Sequence, residues 1–238
     1  MSTSPPRTIV VVPTYNEREN LPPLVDALMV HPNVSVLVVD DHSPDGTAAV
    51  AHELRAKYPA RVRVLERAGQ RGLGRSYIDG LKLALDEPAD LICQMDADLS
   101  HDPAQLPRLL EGASRFDVVI GSRYIPGGTV VNWPLHRRLL SRFANMYVRT
   151  VTRLSARDCT SGYRCWRRDA LAAMPLDRFI SEGYSFLVEM LYVANRLGSR
   201  IGEVPITFVE RRLGASKMSR GVLIESAIAP WRLIDRDS

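Results

Sequence analysis

The chain has 238 residues, of which 45% are apolar and 24% charged, a composition that suits a globular protein and excludes a wholly disordered one. Its formal charge of +4 permits an anionic partner (a nucleotide, a lipid headgroup or a nucleic acid) without choosing among them. No apolar stretch reaches the roughly 18 to 20 residues of a spanning helix, and Cys93, Cys159 and Cys165 lack the spacing of a disulfide frame or zinc site, which points to reduced thiols in a cytosolic protein.

The first six residues, "MSTSPP", mix small polar residues with proline and are expected to form a disordered tail rather than a secretory signal. "TIVVV" (8–12) and "VSVLVV" (34–39) are nearly continuous β-branched runs, the signature of strands buried on both faces of a parallel sheet. "RVRVL" (61–65), "DLICQM" (90–95) and "DVVIG" (117–121) are further strand candidates. Helices are expected over 17–30, 47–58, 72–85 and 103–114 from apolar residues at helical spacing. This alternation indicates an α/β protein whose ligands collect beyond the carboxyl ends of the strands. The polar clusters fall at those ends: "PTYNE", "DDHSPDGT", "DADLSHDP" and "SRY".

Each cluster has a chemical and an ordinary reading. Asp96 and Asp98 offer hard oxygen ligands for Mg²⁺ or Mn²⁺, which commonly combine one or two carboxylates with substrate phosphates. Strand alternation would point them to opposite faces, and both also suit a turn before Pro103. Asp40 and Asp41 can accept from a ribose or a base edge; Ser43 or Asp45 can equally cap the next helix. Tyr15 offers a ring for stacking, while Asn16 is a candidate cap for a helix beginning at Glu17. "GQRGLGRS" (69–76) is neither the dinucleotide fingerprint nor a P-loop and reads as a glycine-rich approach to a helix. His42, His101 and His136 lack metal-ligand spacing and receive no role.

Beyond residue 121 the pattern changes. "IPGGTVVNWP" (125–134) reads as a mobile loop, followed by a long helix over 135–154. Arg138, Arg142, Arg149 and Arg153 form one stripe on that helix beside a broad face of Leu139, Leu140, Phe143, Met146, Val151 and Leu154. Either a membrane-surface helix or a core-facing helix with a solvated side fits this pattern. Strands are expected over 162–168 and 201–212 with a helix over 184–197 between them, and 222–234, which carries Trp231, suits a second interfacial helix or residual core packing. Arg211, Arg212 and Lys217 sit in a glycine-containing loop whose cations suit a diphosphate leaving group or simply solvent. No linker stands out, so one domain over 7–238 is expected, with a first half (7–121) and an elaborated second half (122–238).

In this order, "PTYNERENLP", "VVDDHSPDGT", "MDADLSHDP", "IGSRY", "GGTVVNWP", "SGYRCWRRDAL" and "GEVPITFVERRLGASKMS" resemble the polyprenol (dolichol) phosphate mannose synthases, which are family-two, GT-A-type glycosyltransferases. The resemblance runs from about Thr8 to about Ile228 and implies a GT-A fold, a mostly parallel central sheet flanked by helices. It implies that the first half binds the nucleotide sugar and the second the acceptor. Pro13, Tyr15, Glu17, Val39 and Asp41 match positions that hold the guanosine of GDP-mannose. Asp96, Ala97 and Asp98 match positions at the diphosphate, ribose and metal, with Asp98 the direct ligand of Mg²⁺ or Mn²⁺ beside Asp96. Some relatives carry glutamine where this chain has Ser100, so a third protein ligand is not expected. Arg123, Arg137 and Ser141 match the grip on the acceptor phosphate, and Arg211 and Lys217 the cationic loop over the donor diphosphate. Asp98, Arg123, Arg137, Arg211 and Lys217 are therefore the expected catalytic set.

The reaction implied is inverting transfer of mannose from GDP-mannose to a polyprenyl phosphate, with no nucleic-acid partner. Some relatives add membrane helices beyond this point. This chain resembles the short form, expected as a peripheral protein on the cytoplasmic membrane face, held by a surface helix or a membrane partner. Three alternatives stand beside it. A glucosyltransferase could use UDP-glucose on the same fold. A polysaccharide-building enzyme would need a base carboxylate that the second half does not obviously offer. An inactive nucleotide-sugar-binding scaffold is disfavoured by the intact set of acidic and basic residues.

Overall fold

The computed structural model describes residues 5–179, 181, 183–210 and 220–235, without the side chains of Tyr184 and residues 220–227. The expected tail falls largely outside this range, as do Arg211, Arg212 and Lys217.

The apolar runs become inner strands. β1 (Thr8–Thr14) and β2 (Val34–Asp40) pair in parallel. Val10, Val12, Val36 and Val38 face a core closed by α1 (Leu21–Leu28) and α2 (Thr47–Lys57). Ile9, Val11, Leu37 and Val39 face the opposite core under α3 (Leu73–Leu85). Both faces are covered, so polar alternation has no place in either strand. Gly80 lets α3 lie close: a Cβ there would stand 2.6 Å from Val11 and 2.7 Å from Val39.

Chain order continues with β3 (Val62–Glu66), β4 (Leu91–Gln94), α4 (Leu106–Gly112), β5 (Val118–Ser122), β6 (Thr129–Val131), α5 (Leu135–Thr152), β7 (Arg164–Arg167), α6 (Arg168–Ala172), α7 (Gly183–Arg196), β8 (Ile201–Pro205), β9 (Thr207–Val209) and α8 (Arg220–Asp235). The main sheet runs β3-β2-β1-β4-β7-β5-β8. Every described pairing in it is parallel except those of β7, which runs antiparallel between β4 and β5. Cys93 on β4 lies directly opposite Cys165 on β7, and all three cysteines are free and buried.

Pro13 sits near the end of a central strand, where a missing N–H is costly. The Val11 carbonyl accepts from Met95 on the β4 side, so Pro13, two residues on, faces the same side. β4 has already ended there at Gln94, and no ladder bond is lost.

Four local expectations change. The helix expected from Glu17 starts at Leu21, because Pro22 and Pro23 suit a first turn that needs no N–H donors. Asn16 does not cap it; its backbone is left-handed, with φ of 61°. The segment 125–134 contains β6, which pairs in parallel with β9. The strand expected over 201–212 is interrupted at Ile206, whose N–H donates to the Ser122 carbonyl and whose carbonyl accepts from Thr129, turning the chain out of the main sheet.

The core-facing reading of α5 holds only for its C-terminal end, where Val148 and, just past the helix, Leu154 join the core. Asn145, Val148 and Thr152 are its buried residues, while Leu135, Leu139, Leu140, Phe143 and Met146 are 45–69% exposed. Trp231 of α8 is exposed beside them and donates its Nε1–H to the Tyr147 hydroxyl at 2.8 Å. Among the described residues no helix is long and apolar enough to cross a membrane.

Candidate active site

A cleft of about 640 Å³ opens over the carboxyl ends of β1, β2, β4 and β5, where a doubly wound sheet gathers ligands. It is lined by Pro13, Tyr15, Glu17 and Asp41 at one end, by Asp96, Ala97 and Asp98 in the middle, and by Arg123, Arg137 and Ser141 beyond them. The structure therefore brings most of the expected site residues to one surface. Among the described ones, Val39 is the exception. Its side chain is buried against Gly80 in the core and does not line the cleft.

The strand tips are held by side-chain bonds to backbone. Three non-glycine residues in the loops after β1, β2 and β4 are left-handed: Asn16, His42 and Leu99, with φ between 56° and 61°. The Asn16 N–H donates to Ser43 Oγ, and the Glu17 N–H to Thr47 Oγ1. Asp40 is buried and accepts from Thr14 Oγ1 and from the Ser43 N–H and hydroxyl. It is a bracket between β1 and β2 rather than a ligand for ribose. Asp41 reaches the cleft but is braced from behind by buried Arg67 and by the Gly72 N–H at 2.9 Å. Asp45 accepts from Thr47 and Arg18 ahead of α2, whose own N-cap is Gly46.

β4 ends at Gln94, so strand alternation does not extend to the aspartates. The chain turns at Ala97–Leu99, and Asp96 and Asp98 both line the cleft instead of pointing to opposite faces. Ser100 donates its N–H at 3.1 Å and its hydroxyl at 2.5 Å to Asp98 Oδ1. Tyr77 of α3 donates its hydroxyl to Asp96 Oδ1 at 3.1 Å. Burial, with the Asp96 charge next, holds the Tyr77 phenol well above its usual range, so it stays a donor. Gly162 leaves room beside Asp96; a Cβ there would meet both carboxylate oxygens at 3.2 Å.

Two basic residues are engaged by carboxylates. Arg123 forms a two-pronged pair with fully buried Asp158, with bonds of 2.7 and 2.6 Å, and its Nη2 donates to Thr160 at 2.8 Å. Its charge is compensated, so it anchors the loop after β5 as much as it lines the cleft. Arg137 pairs with Glu210 and lies 4.2 Å over the Trp133 ring. Ser141 accepts from the Tyr124 hydroxyl at 2.7 Å.

Sequence reasoning missed several residues here. His101 is buried, stacks on Tyr163 and places Nδ1 3.9 Å from Asp96 Oδ2, too far for a hydrogen bond; burial pushes its pKa down. Fully buried Arg164 donates to the Ser161, Leu187 and Cys159 carbonyls behind Asp96, and burial lowers its pKa to about 10. Tyr77, Arg71 and Trp133 also meet the cleft or its carboxylates. The signal available for His101 was its place beside the D-x-D turn.

The donor chemistry fits a divalent cation. Asp96 and Asp98 offer hard oxygen atoms to one side of the cleft; no cluster of three or more His, Cys, Asp or Glu able to hold a metal occurs among the described residues, so a cation there would need phosphate oxygens and water as further ligands.

Comparison with known proteins agrees with this architecture. The chain is 48% identical over 233 residues to the undecaprenyl-phosphate mannosyltransferase of Micrococcus luteus, covering 97% of this chain and 96% of that protein. It is 46% identical over 236 residues to the polyprenol monophosphomannose synthase of Mycolicibacterium smegmatis, covering 97% and 88%. Among solved structures, glucosyl-3-phosphoglycerate synthase from Mycobacterium tuberculosis in complex with Mn²⁺ and UDP-glucose shares the fold, with a TM-score of 0.66 at 18% identity over 97% of this chain and 79% of that one. A family model for glycosyl transferase family 2 matches residues 9–174. With carboxylates at the β4 tip and a mostly parallel sheet behind them, this chain belongs to glycosyl transferase family 2.

Proposed function

We propose that this enzyme transfers mannose from GDP-mannose to a polyprenyl phosphate at a membrane surface, inverting the anomeric centre and requiring Mg²⁺ or Mn²⁺. The mannosyltransferase relatives support the sugar and the lipid acceptor. The observation that carries the reading is the cleft itself. It runs from Asp96 and Asp98 past Arg137 to an apolar wall of Leu140, Phe143, Ala144, Tyr147, Leu187 and Val188. A phosphate on a long hydrocarbon needs both halves of that surface.

The nucleophile is a phosphate oxygen, already anionic near neutral pH because its second ionisation lies near pH 6. No side chain is needed to deprotonate it. The chain's task is to bring two anions together and hold them in line. Arg137, which lies over Trp133, would meet the incoming phosphate; Arg123, fixed by Asp158, shapes the same wall. Asp98, oriented by Ser100, and Asp96, oriented by Tyr77, are the residues that would hold the cation. When bound, it neutralises charge developing on the departing diphosphate. Arg211 and Lys217, assigned to that diphosphate by resemblance, lie outside the described residues.

The exposed apolar face of α5 supports peripheral membrane association. A direct test is one assay with radiolabelled GDP-mannose and UDP-glucose side by side, with and without polyprenyl phosphate. Label should enter the lipid phase only with GDP-mannose and the lipid phosphate. Label from UDP-glucose instead would replace the mannosyl reading by the glucosyl one.

A further inference from the structure

We propose that Arg71 selects a guanine base at the nucleotide end of the cleft; this rests on the donor reading above and names a residue that would enforce it. The cleft has two unlike ends. Toward α5 its wall is apolar, with Leu140, Phe143 and Val188, and a nucleoside there would lose hydrogen bonds to water without replacement. Toward the tips of β1 and β2 it presents Tyr15, Glu17, Asp41 and Arg71. A diphosphate held at Asp98 therefore directs its base to the second end.

Arg71 reaches that end from the turn leading into α3. Nη1 donates to the Tyr15 hydroxyl at 2.8 Å and Nη2 to the His42 carbonyl at 3.2 Å, and the guanidinium lies 4.6 Å over the Tyr15 ring. These contacts bridge the loops after β1 and β2 and place a planar fork at the cleft edge. A guanidinium carries five N–H donors, more than these two bonds employ. Guanine offers O6 and N7 as a pair of acceptors matched to such a fork. Its remaining edge donates, and the Glu17 and Asp41 carboxylates lie at the same end. Adenine turns a donor toward the fork where guanine has O6, and uracil has no N7. The Arg71 fork thus finds two acceptors on guanine but only one on adenine, at N7, or on uracil, at O4.

Calorimetric titration of GDP, IDP, ADP and UDP in the presence of Mn²⁺ tests this on the full chain. IDP keeps O6 and N7 and loses only the 2-amino group. Arg71→Ala is expected to weaken GDP and IDP by roughly 10- to 100-fold while ADP and UDP change by less than about threefold. Arg71→Lys should recover only part of the loss, because an ammonium cannot pair two acceptors in one plane. The side chain is exposed, so both variants should melt with the wild type. Equal losses for all four nucleotides would place Arg71 on the diphosphate and overturn the proposal, as would no loss for any. A wild type that binds GDP no tighter than UDP would instead remove the guanine donor itself.

Discussion

Leu99 adopts φ of 58° between Asp98 and Ser100, a region that leucine rarely enters and that costs on the order of 1 kcal/mol. The turn it makes lets both Ser100 donors reach Asp98. Strain is thus held next to the carboxylate that most needs a fixed direction. Asp98→Ala should abolish transfer at saturating metal, measured as mannosyl lipid formed per minute; near-normal turnover would end the metal assignment. Gly162→Ala places a methyl against both Asp96 oxygens and should slow transfer by roughly 10- to 100-fold, with little change in melting temperature. At this scale Asp96 and Asp98 were legible as carboxylates at the end of an apolar run, although a turn before Pro103 accounts for such residues equally well. Tyr77 and Arg164 stayed hidden. Their meeting with the site depends on how α3 and the segment before β7 cross the sheet, which no local spacing reports.

Among the elements, α5 is where sequence and packing leave the widest choice. Its two stripes were legible, but whether the apolar one met a core could be settled only by placing the helix. It lies at the rim, burying Asn145, Val148 and Thr152 and exposing Leu139 and Met146. Leu139→Glu with Met146→Glu, neither of which lines the cleft, should cut co-sedimentation with anionic vesicles by at least about 10-fold. The same variant should still use a short, water-soluble prenyl phosphate. Loss of activity on both acceptors alike would argue against a membrane role for this face. β6 was missed for a physical reason: glycine and proline flank three residues whose strand partner among the described residues, β9, lies more than seventy positions away.

For the whole molecule, the β-α alternation to residue 121 foretold the parallel half of the sheet, since continuous β-branched runs need cover on both faces. Nothing local foretold that β7 would enter it antiparallel between β4 and β5. Four residues, two of them arginine, carry too little pattern, and Arg164 is accommodated only because three carbonyls meet it in the interior. The far edge is pinned by Asp117, which accepts from Arg200 at 2.9 and 3.0 Å beside the β5–β8 pairing. The Arg200 guanidinium leads the causes that hold the Asp117 carboxyl down at about 2. Its stabilisation is therefore present above the unfolded value of 3.8 and lost as pH falls from about 3.8 toward 2. Asp117→Asn should cost about 1 kcal/mol at pH 7 by urea denaturation, and the gap to wild type should close through that acidic window.

Cys93 and Cys165 face each other at the seam where the two halves of the chain join one sheet, and Cys159 is buried as well. A thiol reagent cannot reach any of them while the sheet is closed, and burial, with the neighbouring Cys165 next, suppresses the Cys93 thiolate further. Alkylation of the native enzyme thus becomes a clock for opening of its centre. Added GDP and manganese should slow that clock if they clamp the tips of β1 and β4 together.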